Sequence, residues 1–178
     1  MKRRVACLVL AATAVLMVPL ALPASADTIG VSAATVTIQG GVLALTVPAD
    51  AGNLGTRADT VGGGTISGSL GQVQVTDARS AAAGSGWVVS VISTAFTPLA
   101  GPTIPASAVS YTAGTITKVG TATYVANDPI NLTGVVTAVT ATGITGNNSA
   151  TWNPTINVAV PGGMAAGVYS ATITHSVL

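Results

Sequence analysis

From Ala34 to Leu178 the chain repeats one pattern: short runs in which every second residue is apolar, broken by Gly, Pro, Asn or Asp. A period of two is the signature of a half-buried strand. "ATVTIQGGVLALTVP" predicts a hairpin, with Val36 and Ile38 before a Gly40-Gly41 turn, Leu43, Leu45 and Val47 after it, and Pro48 as the stop. A short strand is expected at Thr65–Leu70, after a loop-rich stretch from Ala51 to Gly64. "GQVQVTDAR" and "WVVSVISTAF" read as a second hairpin closed by a Ser80–Gly86 loop. Further strands are expected up to Tyr111, in "TATYVAN" and in "GVVTAVTATG". "TINVAVPGGMAAGVYSATITHSVL" reads as the clearest pair. Ile156, Val158 and Val160 alternate in its first strand, and Tyr169, Ala171, Ile173, His175 and Val177 share one face of its second. No comparable stretch carries a 3.6-residue apolar repeat. The prediction is an all-β fold, an antiparallel β-sandwich in a single domain.

The first 26 residues break the pattern. Lys2, Arg3 and Arg4 precede an apolar run that ends in Ala24-Ser25-Ala26, a small-x-small cleavage site. This is the layout of a secretory signal peptide over residues 1–26, leaving a mature domain at 27–178. The expected location is secreted and extracellular. No later stretch is long and apolar enough to predict a membrane span.

Composition narrows the chemistry. The sole Cys lies inside the expected leader, so packing and backbone hydrogen bonds must hold the domain together. Beyond residue 26 the charges are Asp27, Asp50, Asp59, Asp77 and Asp128 against Arg57, Arg79 and Lys118, formally −2. With no basic patch, nucleic acid is a poor partner. So little charge leaves little repulsion between copies.

Catalysis has few candidates. There is one His, His175, no Glu, and no paired carboxylates of the kind glycoside hydrolysis uses. A triad would have to run through His175, which shares a strand face with Ile173 and Val177 and reads as a partly buried strand histidine. A zinc site lacks ligands, and the Asp-containing turns "RADT" and "NDPIN" read as loop formers. The expectation is a non-enzyme with no cofactor and no metal. Trp152, just before Asn153-Pro154, reads as a core cap at a strand entry or as a sugar-stacking ring.

"TDARSAAAGSGWVVSV" sets Asp77, Arg79 and Trp87 close together in a chain poor in charges and aromatics. On the expected hairpin, Val73, Val75, Asp77 and Arg79 share the inner face, with Arg79 opposite Trp87 and Asp77 opposite Val89. A charge at the rim of a core needs a partner. Asp77 and Arg79, two apart on one face, supply each other's, and the guanidinium is expected to stack on the indole. The same cluster is also a candidate binding site.

"VQVTDAR", "GWVVSV" and "VAVPGGMAAGVYSATITHSVL", in that order, resemble the WxL domain of Gram-positive cell-surface proteins. In that family a V-x-V-x-D-x-R strand precedes a first Trp-x-Leu motif, and a second ends the domain. Here the first motif reads Trp87-Val88-Val89, and His175-Ser176-Val177 stands in place of the second. The resemblance implies non-covalent association with the peptidoglycan wall or another wall polymer. Trp87, Asp77, Arg79 and His175 are then the candidate binding residues. The alternative from the residues themselves is a structural subunit, in which the last strand completes a sheet within the chain or is donated to a copy or another surface protein.

Overall fold

Val73, Val75 and Asp77 are buried in alternation with Gln74 and Thr76, and the same phase resumes at Trp87, Val89 and Val91. The two halves of the expected second hairpin therefore point inward in register with each other, and one continuous strand satisfies both. That strand is the centre of the molecule. The computed structural model describes residues 32–178; the expected leader, 1–26, lies outside them.

The strands are β1 (Leu43–Thr46), β2 (Gly64–Ser69), β3 (Val73–Ser93), β4 (Thr97–Pro98), β5 (Val109–Thr112), β6 (Thr117–Ala126), β7 (Val136–Trp152), β8 (Thr155–Val160), β9 (Tyr169–Ser170) and β10 (Ile173–Val177). A 3₁₀ turn at Ala106–Ala108 precedes β5. All pairings are antiparallel. The main sheet runs β1-β3-β7-β6, with β10 also on β3. β1 and β10 lie along the same edge of β3, β1 against Gln74–Asp77 and β10 against Val89–Ser93. The second sheet runs β2-β8-β5, and β4 pairs with β9. The fold is an all-β, sandwich-like single domain, as the alternation predicts.

Between the sheets lies one core, whose largest fully buried side chains include Trp87, Trp152, Tyr111, Leu132, Ile144 and Ile156. Burial of each such aliphatic or aromatic group contributes roughly 1.5–3 kcal/mol, the main favourable term in a domain without a disulfide. Among the described residues, every buried side-chain nitrogen and oxygen has a hydrogen-bond partner. No helix among them is long and apolar enough to cross a membrane.

Three expected pairings are corrected. Gly40-Gly41 does not turn a hairpin: Val36 and Ile38 are exposed outside any strand, and the Gly41 amide donates to the Ala78 carbonyl at 2.6 Å. A Cβ on Gly41 would fall 2.7 Å from that of Ala78, so the glycine lets the chain lie against β3 instead of folding back. Ser80–Gly86 is likewise no hairpin loop but a bulged stretch inside β3. Ten steps of β3, Asp77 to Trp87, face seven of β7, Asn148 to Ala141; five steps of β6, Val119 to Tyr124, face eight of β7, Ser149 to Ala141. The surplus is taken up by residues with positive φ, Ser80 and Gly84 on β3 among them. Finally, β8 and β10 do not pair with each other. β8 joins β2 and β5, and β10 joins β3, so Pro161–Thr172 carries the chain from one sheet to the other through β9.

Candidate functional site

Asp77 and Trp87, brought to the same inner face by the bulge, meet through a residue of the neighbouring strand. Asn148 is the Cα partner of Asp77 on β7 and is itself buried. Its Oδ1 accepts the Trp87 indole N–H at 3.1 Å and the Tyr124 hydroxyl at 3.2 Å; its Nδ2 donates to Asp77 Oδ2 at 3.3 Å. Arg79 closes the cluster. Its Nε and Nη2 donate to the two carboxylate oxygens of Asp77 at 2.8 and 2.9 Å, a bidentate pair, and Nη2 also reaches the Gly86 carbonyl at 3.3 Å. The Arg79 guanidinium holds the Asp77 carboxyl down to about 2, against the desolvation that acts to raise it.

The expected ion pair is therefore present, while the expected cross-strand register is not: Asp77 faces Asn148 and Trp87 faces Ala141, both on β7. The indole's ring partner is Tyr124, tilted at 5.5 Å between centroids. Arg79 turns its donor edge to the carboxylate. The carboxylate of Asp77 is fully buried and Trp87 is 2 % exposed, whereas the Arg79 side chain keeps 38 % of its surface in water. Of these three residues, Arg79 is the one with a solvent-facing side chain.

His175 lies elsewhere, in a second cluster that spans the two sheets. From β10 its ring meets the Tyr111 ring of β5 edge-on at 5.6 Å, with Nε2 3.4 Å from the hydroxyl. That hydroxyl accepts the Trp152 indole N–H at 2.7 Å. Trp152 is thus a core residue with a satisfied indole, not a surface stacking ring. Burial lowers the His175 pKa to about 4 and pushes the Tyr111 phenol well above its ordinary range.

Asn148, Tyr124 and Tyr111 are the residues that the sequence reading does not single out. The available signal for Asn148 was its phase, since it shares the buried alternation of Ala150 and Trp152. Neither cluster sets a nucleophile beside a base in open space. Among the described residues no three His, Cys, Asp or Glu side chains converge. The expected loop-forming role of Asp128 is realised, with Oδ1 accepting the Ala113 amide at 2.8 Å.

The outward face of the main sheet is of another kind. One cross-strand row is Thr46, Gln74, Thr151 and Thr117; the next is Ala44, Thr76, Ser149 and Val119. Beyond the bulge, Ser176, Ser90 and Thr137 make a further row. Lys118 pairs with buried Ala150, so it sits in the inward phase at the sheet edge. These outward rows are uncharged and offer hydroxyls, an amide and methyl groups. At one end of the sheet, an open depression of about 330 Å³ is lined by Gln72, Thr115, Thr117, Thr151, Trp152 and Asn153, again without a titratable group. Compared with known proteins, the chain matches no family model, no curated protein and no solved structure.

Proposed function

We propose that this is a secreted, non-catalytic component of a bacterial cell envelope, a divergent WxL-like domain that associates non-covalently with a wall polymer. Peptidoglycan is the leading partner on the sequence resemblance. The observation that carries the reading is the uncharged, hydroxyl-rich outer face of the main sheet. Such a face suits hydrogen bonding to a glycan and carries no ionic attraction for salt to screen. In this reading Trp87, Asp77 and His175 hold the fold beneath the face, and Arg79 is the member of the set nearest to solvent.

The test is co-sedimentation of the purified protein with Gram-positive wall sacculi at low and high salt. Salt-resistant sedimentation is expected, lost in Thr76→Glu and Thr151→Glu variants that remain folded. A folded Trp87→Phe variant should still sediment. Retention by both Glu variants would remove the face from the account.

A second reading is self-assembly, favoured by the outer edge of β6. Among the described residues this ten-residue strand pairs with β7 alone, and Val119 and Val125 are exposed on it. Sizing at rising concentration separates the two readings: growth in particle size with no affinity for sacculi would favour assembly.

A further inference from the structure

The last strand is held differently from the rest of the main sheet. Among the described residues β10 pairs with β3 alone, through five paired residues, and the Leu178 and Val88 amides and carbonyls exchange hydrogen bonds of 3.0 and 2.9 Å just beyond them. Its inward residues Ile173, His175 and Val177 are half-buried, whereas Ser93, Val91 and Val89 of β3, which they pair with, are buried. In the middle of this lightly held strand stands the chain's one histidine, packed edge-on against a fully buried tyrosine.

One protonation state satisfies every donor of that contact. The Tyr111 hydroxyl accepts from Trp152, an indole that can only donate, so its own proton is free to go to His175 Nε2. That requires Nε2 to be bare. A proton on Nε2 would set two N–H donors against one hydroxyl oxygen and leave the hydroxyl proton without an acceptor in a buried place. Among the described residues no carboxylate pairs with the ring, and the carboxylate whose charge reaches Tyr111 is that of Asp128. β3 brings Ser90, Val91 and Ile92 alongside, with Asp77 and Arg79 on its distant half. β1 carries no ionisable group, β5 contributes Tyr111, and β7 ends at Trp152. Asp128, on the connection between β6 and β7, is bound by the Ala113 amide.

We propose that β10 is an acid-released latch: when His175 takes up a proton, the strand lifts from β3 as a unit and bares the Val88–Ser93 edge while the β3–β7 ladder persists. This is independent of the wall-binding reading.

The sign follows from linkage. The docked ring titrates at about 4 and the free ring near 6.5, so undocking takes up a proton between those values and is favoured as pH falls through the window. Native-state amide hydrogen exchange of the whole protein in low urea tests the idea, with protection factors corrected for intrinsic rates. Between pH 7.5 and 5.0 the β10 amides, with Val88 and Leu178, should lose about 30-fold in protection. They should also lie on an isotherm of shallower urea dependence than the β3–β7 ladder. His175→Leu should abolish the pH effect; if that variant folds poorly, His175→Gln serves in its place. Three results would each overturn the latch: β10 protection equal at both pH values, β10 amides merging with the ladder isotherm at both, or a variant that keeps the full pH effect.

Discussion

Asn148 joins an indole, a phenol and a carboxylate with one amide, and its removal would leave the buried Trp87 indole N–H without an acceptor, while Tyr124 keeps the Ser149 carbonyl and Asp77 keeps Arg79. Asn148→Ala is expected to cost about 2–3 kcal/mol in a urea titration, the penalty of an unsatisfied buried donor plus a small cavity. Asn148→Asp should do worse at neutral pH, because it sets a second carboxylate beside Asp77, and should recover in part as acid protonates one of the two. Asp77 itself has a folded pKa of about 2 against 3.8 when free. Its stabilising contribution is therefore complete above pH 4 and fades as pH drops toward 2. It is on the order of 2 kcal/mol at most, and less in practice because water reaches Arg79. The gap in unfolding midpoint between the wild-type chain and Asp77→Asn should stay nearly level from pH 6 to 4 and shrink at pH 2.5, whereas the fall that His175 brings between pH 6 and 4 should be common to both. The Asp77–Arg79 pair was legible in the sequence because two residues apart on a strand means one face. Asn148 was not, because nothing local tells which strand lies beside β3.

At the scale of elements, the bulged zone of β3, β7 and β6 decides the geometry. Gly120 on β6 has φ +87°, and a Cβ there would lie 2.6 Å from the Asn147 carbonyl oxygen. Gly143 on β7 has φ +63° and open space around it. Alanine at Gly143 should cost about 1 kcal/mol for the left-handed backbone alone, and alanine at Gly120 at least twice that, since it also collides. Equal thermal shifts for the two variants would mean that the close packing of β6 on β7 does not matter to stability. Most strand positions were readable from the period-two pattern, but not the second half of β7, residues 144–152, and the strand expected around Val36 and Ile38 is absent. Partners were not readable, because the same alternation fits a tight turn and a bulge. "SAAAGSG" offers small residues and glycines that serve either, the inward phase of Asp77 and Trp87 is the same in both, and what separates them is that both residues pair with β7.

For the molecule as a whole, the fold class followed from composition: Thr and Val at alternate positions, Gly and Pro between, and few charges. The division into two sheets did not, because β8 and β10 carry equally good patterns for pairing with each other, and only their placement on β2, β5 and β3 settles it. A candidate site was legible as residues but not as a surface. The sequence draws the eye to Asp77, Trp87 and Trp152, which the fold buries, while the outward rows are built from its commonest residues. If that face is the one that binds, affinity should hold within about twofold between 50 mM and 500 mM salt in a sedimentation isotherm, since exposed charges contribute nothing to it.

The edge of β3 shared by β1 and β10 bears on how the chain comes to be folded at all. Val73 meets Trp152 across 79 residues of sequence, His175 meets Val91 across 84, and Leu43 meets Asp77 across 34. In the main sheet the near-neighbour pairing is the hairpin of β6 and β7, where Ala126 meets Val139 13 residues on. Loop closure of the long kind is slow, and refolding is expected on the millisecond-to-second scale, beginning at that hairpin. A nascent chain that has released β3 must wait for β7 before the strand has a partner, and for β10 before its edge is covered. Until then the inward residues of β3 lack the strand that holds them in the sheet, and the late-made C-terminal third of the chain sets when the core can close.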